Sequence, residues 1–494
     1  MTEAAPRIET SRPAYDWKKL FILLAGLGVF LVIYFMPAWP DAVDPAGQSF
    51  TLSPQGKAAI GLFLLAGIWW VFEVIPIGVT AIAIGVFQAL FLIRPAKDAF
   101  RDFMDPSVMF IFGSIVIGLA FTQSGLTRRI AYKMLSVVGE NTRMILLGCL
   151  IVTAALAHLM AHTAVAATMF PILLAIYALY GEGDKKTNFG KSLFIGMAYA
   201  AGAGSIVTFL GAARGPAAAG MYTEFTGQEI GFFELTSYMF VIGWLMVFAI
   251  WFYLITFMKP EKDSIPGLKK TVKRLSDGLG PMTIQEKTVL GIVLGVVLLM
   301  SLKGVVPFLQ PIDRAALMLL STLLFFILGI LSVKNLEEIP WNIILLFSGA
   351  MSIGFCLWQT GAAEWMAVQW LGLLQGAHWF VFVMGIAAFV LIMTNFIMNV
   401  AAIAIVLPVA LVIAKYMGVA PDVVMYASLV TAGMPFLLLI GAAPNAIAYD
   451  SKQFSTGEFF KHGVPMSILL MVVLSLAVTV LWPLLGMPIL VEQP

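Results

Sequence analysis

Long apolar runs, interrupted by short polar clusters, set the pattern of this chain. The segments 20-LFILLAGLGVFLVIYFM-36 and 465-PMSILLMVVLSLAVTVLWPLLG-486 carry no charge. Their length fits the roughly 20 residues that cross a ~30 Å hydrocarbon core. The pattern predicts spans near 20–37, 57–74, 76–94, 106–122, 190–222, 231–257, 286–303, 312–332, 341–358, 424–449 and 464–487. Two stretches do not fit a simple crossing. Residues 144–180 and 378–415 would each be about 55 Å long as one helix at 1.5 Å per residue. Each has a polar break near its middle, Ala161-His162-Thr163 and Met398-Asn399-Val400. We read each as a re-entrant hairpin with its tip at the break, because non-helical backbone at that depth needs cover from protein or water. The fold class is therefore an all-α polytopic membrane protein, with about 11 transmembrane helices and two re-entrant hairpins.

The halves resemble each other. Gly113, Gly118, Gly125 and Ala131 match Gly349, Gly354, Gly361 and Ala367 at one constant offset. The hairpins align through 162-HTAVAATMFP-171 and 399-NVAAIAIVLP-408, and 211-GAAR-214 aligns with 441-GAAP-444. Each copy holds five spans plus a hairpin. An odd span count inverts the second copy, which is the inverted-repeat plan of secondary transporters. Segments follow: a cytoplasmic tail (1–19), a first helix and extracytoplasmic loop (20–56), repeat 1 (57–257, its hairpin part from 141), a cytoplasmic linker (258–285), repeat 2 (286–487, its hairpin part from 376) and a C-terminal tail (488–494).

Composition agrees: of 494 residues, 61% are hydrophobic and 11% charged. The net charge of +2 gives no sign of a nucleic-acid partner, and the bilayer is the environment the chain requires. Lys18 and Lys19 precede the first span, while Asp41 and Asp44 follow it, so the N-terminus is expected in the cytoplasm of a cell whose inner (plasma) membrane holds the protein. The main basic clusters (125-GLTRRIAYK-133, 184-DKKTNFGK-191 and 259–275) then also fall inside, and only Arg94 to Arg101 falls outside. No cleavage motif follows the first run, so it reads as a retained helix. Cys149 and Cys356 read as packing residues.

The candidate chemistry lies in four breaks: the two tips, 202-GAGSIVTFLGAARGP-216 and 433-GMPFLLLIGAAPN-445. Half-helix starts favour anions, and freed carbonyls favour cations. Arg214 is the cation in these breaks, and a bound anion would suit its fork of donors. The plainer reading pairs it with Glu224 or a lipid phosphate. Two of the four histidines, His158 and His162, stand four residues apart at the first tip. Polar groups there are costly and usually functional. His162 is expected to line the site, and His158 equally to cap a carbonyl. Thr163 and Asn399 can donate to an anion or cap the helix that follows. Gly202, Gly204, Gly211 and Gly441 read as close-packing glycines. The pair His158/His162 resembles a zinc-enzyme helix, but residue 159 is Leu and the general base is missing. No catalytic residue and no metal site beyond Na+ is expected. A channel fits less well than a carrier, since paired broken hairpins differ from a ring of one repeated element.

The order of these features resembles the divalent-anion/sodium symporter family from about residue 57 to 487. The likeness is strongest in 441-GAAPNAIAYDSKQFSTGEFFKHGVP-465. The resemblance implies a homodimer, a scaffold and a moving transport domain, elevator-type alternating access, and a dicarboxylate, sulfate or similar dianion as substrate. Family members carry Ser-Asn-Thr at both tips and a Pro-Asn break in each repeat. Here Asn399, Thr394 and Asn445 survive, so a second cation site is implied at Thr394, Met398, Asn399, Gly441, Ala442 and Asn445. At the first site Ala161 and His162 replace Ser and Asn, Gly211 survives, and Arg214 stands where proline is expected. A guanidinium and a cation repel strongly at close range. The expectation is that Arg214, with His162 beside it, replaces the first sodium ion. Substrate would meet His162, Thr163, Arg214, Asn399, Val400, Ala442 and Ala443. The function expected is a secondary carrier of a small divalent anion. An anion exchanger or a proton-coupled or efflux carrier is the alternative, and an intramembrane metalloenzyme a remote one.

Overall fold

The computed structural model describes residues 17–43, 49–136, 138–183, 185–303, 306–374 and 377–491. The expected tails lie outside these residues except for 17–19 and 488–491, and so does Asp44. The first half runs α1 (Trp17–Phe35), α2 (Pro54–Val71), α3 (Ile77–Leu90), α4 (Ala96–Arg101), α5 (Pro106–Ser124), α6 (Leu126–Leu135), α7 (Thr142–Leu156), α8 (His162–Tyr180), α9 (Asn188–Ser205), α10 (Arg214–Thr226) and α11 (Phe232–Phe257). α12 (Leu268–Asp277) sits in the polar connection. The second half runs α13 (Ile284–Leu302), α14 (Arg314–Ile327), α15 (Val333–Glu337), α16 (Trp341–Gln359), α17 (Ala362–Leu374), α18 (Trp379–Phe396), α19 (Asn399–Tyr416), α20 (Pro421–Ala432), α21 (Ala443–Tyr449) and α22 (Thr456–Leu476). Two two-residue strands, β1 (Ala42–Val43) and β2 (Ser49–Phe50), pair antiparallel after α1.

Nine helices among the described residues are long and apolar enough to cross a membrane. Three of them, α8, α18 and α19, belong to the expected hairpins, so six of the eleven expected spans qualify. The stretch 190–222 is two helices, α9 and α10, parted by irregular backbone at 206–213. The stretch 424–449 begins at Pro421 and divides into α20 and α21 around residues 433–442. Helices α3, α7 and α14 have 14, 15 and 14 residues, short of the roughly 20 of a full crossing.

The two expected hairpins are α7–α8 and α18–α19, turning at 157–161 and at Ile397–Met398. The second helix of each carries an internal proline at the same place, Pro171 and Pro408. Such a proline removes one backbone donor and bends the helix.

Helices of the first half pack on helices of the second: α3 lies on α16 and α5 on α14. Glycines permit both approaches. A Cβ on Gly113 of α5 would lie 2.9 Å from Met318 Cβ, and one on Gly349 of α16 would lie 2.5 Å from Ala81 Cβ. α5 and α16 each have 19 residues, and a left-handed glycine follows shortly after each: Gly125 at φ 81° and Gly361 at φ 73°. α8 likewise meets α21, and α10 meets α19. These contacts between the halves bring the four interrupted segments into one region.

The polar connection is clamped to the first half. Ile265 N donates to Glu140 O at 2.8 Å, and Thr142 N to Asp263 O at 3.0 Å. Arg129 pairs with Glu286 at 2.7 Å and donates to Gly280 O at 2.7 Å.

Candidate functional site

The first residues of α8, α10, α19 and α21 all line one cavity of about 830 Å³. Its wall includes Ala161, His162, Thr163, Arg214, Met398, Asn399, Val400, Gly441, Ala442 and Ala443. Some helix starts in this chain are capped by side chains, as α7 is by Asn141 and α9 by Thr187, and others, such as α3, α16 and α20, are not. The four that meet here are preceded by Ala161, Ala213, Met398 and Ala442, none of which makes a side-chain cap. An uncapped start brings the positive end of the helix dipole to the cavity, although some first-turn N–H groups are already used, His162 N on Gly211 O and Asn445 N on Ala442 O. The capping reading of Thr163 and Asn399 is therefore corrected. Both residues lie inside their helices, not at the caps.

Arg214 opens α10 and is only 2% exposed. Its NH2 donates to Ser205 Oγ at 2.6 Å, and Ser205 in turn donates to Gly202 O at 2.7 Å. The other terminal nitrogen, NH1, is buried with no partner among the described residues. Arg214 makes no ion pair among those residues, so its pairing with Glu224 is also corrected. The guanidinium reaches across the break to α20, where a Cβ on Gly433 would lie 3.0 Å from NH2.

His162 lines the cavity and is held by its backbone and one ring nitrogen. Its backbone N donates to Gly211 O at 2.9 Å, and its ring Nδ1 lies 3.2 Å from the same oxygen. A Cβ on Gly211 would meet Ala157 O and Ser205 O at 2.5 Å, so this glycine is a packing necessity. His158 is a different case. Nδ1 sits 2.8 Å from Gly204 O, the ring stands edge-on to Trp244 at 5.5 Å, and Thr208 donates to the His158 carbonyl at 2.6 Å. These contacts tie the first tip to α9 and α11, in line with its expected role on a carbonyl.

At the second tip, Thr394 Oγ1 is 3.0 Å from Asn399 Oδ1 and 3.1 Å from Ala432 O. Asn445 gives its amide to Pro435 O at 2.8 Å and Leu438 O at 3.1 Å. Gly441 lies on the Thr394 carbonyl, 2.8 Å from where its Cβ would be. Thr394, Asn399, Gly441 and Asn445 are thus brought together, while Met398 and Ala442 flank them on the cavity side. Their side-chain and carbonyl oxygens are the donor set that hard cations take. The first tip places the His162 ring and the Arg214 guanidinium beside the Thr163 hydroxyl and the Gly211 carbonyl.

Two residues of this region escaped the sequence reading. Asn395 is fully buried and accepts from Leu437 N at 2.8 Å and Leu438 N at 3.2 Å, holding the 433–442 break against α18. A second polar residue beside Thr394 in an apolar run was its signal. Ser205, which holds Arg214, had none beyond its place among glycines.

A model of the sodium:sulfate symporter transmembrane region matches residues 16–488. The chain belongs to the sodium:sulfate symporter family. Among relatives of this family, the sodium-dependent dicarboxylate transporter SdcS of Staphylococcus saprophyticus is 26% identical over 88% of both chains. SdcS of Staphylococcus aureus is 25% identical over 89% of this chain and 88% of its own. In fold, the chain is similar to MtrF of Neisseria gonorrhoeae, one of a class of antimetabolite efflux pumps, with TM-score 0.56 and 14% identity over 93% of both chains. The YdaH transporter of Alcanivorax borkumensis gives TM-score 0.51 and 13% identity over 95% of this chain and 98% of that one. As a sodium:sulfate symporter family member the chain is a multi-pass membrane transport protein and not an enzyme.

Proposed function

We propose that this protein is a secondary carrier of a small anion of the dicarboxylate, sulfate or sulfonate type, with Arg214 doing the work of one of the two cations its relatives are expected to bind. The observation that carries the reading is the buried Arg214 guanidinium, with one nitrogen on Ser205 and the other unpartnered, in a cavity where uncapped helix starts meet. An anion there would complete the fork of donors. It would also meet the hydroxyl of Thr163 and the amide of Asn399 at the starts of α8 and α19.

Sodium, as a transported ion, would use Thr394, Asn399 and the carbonyls about Gly441 and Asn445. Coupling would then rest on this one sodium site, on protons, or on neither. A fixed guanidinium lets an anion bind without sodium, which also suits exchange of one anion for another. SdcS relatives are sodium-dependent dicarboxylate transporters by name, and that supports the substrate class. The repeated element order, with helices of one half packed on helices of the other, supports two inverted repeats. On this reading 57–140 and 286–375 form a scaffold, and 141–257 and 376–487 form a transport domain that moves like an elevator in each protomer of a homodimer. The N-terminus lies in the cytoplasm and the bilayer is the plasma membrane.

The test is uptake into proteoliposomes under a sodium gradient, a pH gradient or a counter-anion load, for the wild type and Arg214→Gln. The reading expects anion flux that the substitution abolishes. Flux that survives it would make the arginine structural.

A further inference from the structure

We infer that α12 is a docking face for the headgroups of anionic phospholipid, and that lipid seated there braces the joint between α6 and α7.

α12 is strongly amphipathic. Leu268 and Val272 are buried, and the helix rests on α6. Lys269, Lys270, Lys273 and Arg274 are all exposed. At 3.6 residues per turn these four fall within one arc of about 140°. None of them makes an ion pair among the described residues. The nearby acids do not neutralise them. Glu140 accepts from Gly267 N at 2.9 Å, and Glu286 pairs with Arg129 at 2.7 Å. Asp277 falls on the same arc and is exposed without an ion pair, so the face keeps a surplus of cations. Lys269 stands one turn from Lys273 and Lys270 one turn from Arg274, and like charges at that spacing destabilise a helix. The helix has only 10 residues and no side-chain cap at Gly267, which is short for a helix in water. Anions lying against the cationic arc would offset the repulsion.

The connection that carries α12 lies at the bilayer surface. α11 ends at Phe257, 69% exposed, and α13 begins at Ile284, 83% exposed. Both helices are long and apolar enough to cross, so these two side chains mark the lipid boundary. Between them the chain is held to the first half: Ile265 N donates to Glu140 O, Thr142 N to Asp263 O, and Arg129 to Gly280 O. Basic clusters of about four to eight residues on an amphipathic helix at this level attract anionic headgroups. The same bonds fix residues 140–142, where the proposed scaffold and transport domain meet. The lipid contact itself stands apart from the proposed carrier role; only its effect on flux depends on that reading.

The experiment exchanges the purified full chain in detergent against an equimolar mixture of phosphatidylglycerol and phosphatidylcholine and counts both lipids retained per chain. Each basic residue near such a surface favours anionic lipid by about fivefold, so the wild type should prefer phosphatidylglycerol about fivefold or more, and less at high salt. The fourfold variant Lys269→Gln/Lys270→Gln/Lys273→Gln/Arg274→Gln should lose this preference. Lys269→Arg/Lys270→Arg/Lys273→Arg, which keeps the charge, should retain it. The milder Lys269→Gln/Lys273→Gln should lose part of it, and decides the matter where the fourfold variant does not fold. An unchanged preference in the folded Gln variants, or none in the wild type, would overturn the inference and leave the carrier reading standing. Thermal stabilisation by inorganic phosphate that the Gln variants lose, without a lipid preference, would assign the face to soluble anions and also overturn it.

Discussion

Arg214 NH2 lies 2.6 Å from Ser205 Oγ, and this is the one hydrogen bond the buried guanidinium makes among the described residues. A charge held this way inside a membrane protein is incomplete without an anion, since burying an unpaired charge is costly. Replacing Arg214 with Gln removes a charge-assisted contact worth ~1.5–3 kcal/mol, so anion affinity should fall about tenfold to a hundredfold. The rise in melting temperature produced by the bound anion, measured for the variant and the wild type, checks this. An equal rise in both would mean that the anion does not touch the arginine.

Thr394 should govern sodium. Its hydroxyl orients Asn399 Oδ1 at 3.0 Å. Thr394→Val keeps the shape but removes the hydroxyl, and the apparent sodium affinity should weaken by about tenfold, the equivalent of ~1.4 kcal/mol. Sodium titration of the melting temperature reads it. Unchanged sodium dependence would remove Thr394 from the cation site.

The glycines in the breaks should matter through packing alone. A Cβ on Gly204 would lie 2.5 Å from the Ala154 backbone, and one on Gly211 would lie 2.5 Å from Ala157 O. Neither neighbour can yield without moving a helix. Gly204→Ala and Gly211→Ala should each destabilise by ~1–3 kcal/mol, the usual cost of overpacking. Thermal unfolding measures this, and full stability in either would show that the backbones part easily.

The proposed scaffold and transport domain are latched at the 227–231 loop. Lys303 pairs with Glu229 at 2.7 Å, Arg314 donates to Ile230 O, and the Arg314 guanidinium lies 5.3 Å over the Phe209 ring. The Lys303–Glu229 pair is partly exposed, with Glu229 at 45%, so it is worth ~0.2–1 kcal/mol at most. Lys303→Gln should shift the conformational balance less than about fivefold, and Arg314→Gln more, because its contact with Ile230 is half-buried and joined by the Phe209 ring. Labelling of a cysteine introduced at Ile343, on the cavity wall, reports the open state. Identical labelling in Arg314→Gln and its parent would refute the latch.

Much of this architecture was legible because membrane helices must satisfy their own backbones. Breaks in apolar runs at His162, Arg214, Asn399 and Ala443 therefore announced themselves, and all four became helix starts on one cavity. What the sequence could not supply was who partners whom. Arg214 resting on Ser205, and His162 folded onto Gly211, depend on how an irregular turn bends at 206–213, and periodicity carries no signal for that. The caps failed for a related reason: Thr163 and Asn399 are good capping residues, yet each helix starts one or two residues earlier than a cap at that residue would require. Asn395 was hidden by its neighbour Thr394, which drew the attention a lone buried amide would have drawn.

The central claim is that Arg214 stands in for one sodium ion. The most direct test is the number of sodium ions moved per anion, from paired radiolabelled sodium and anion fluxes in proteoliposomes. The account predicts at most one sodium ion per anion. Two or more, with Arg214 intact, would contradict it.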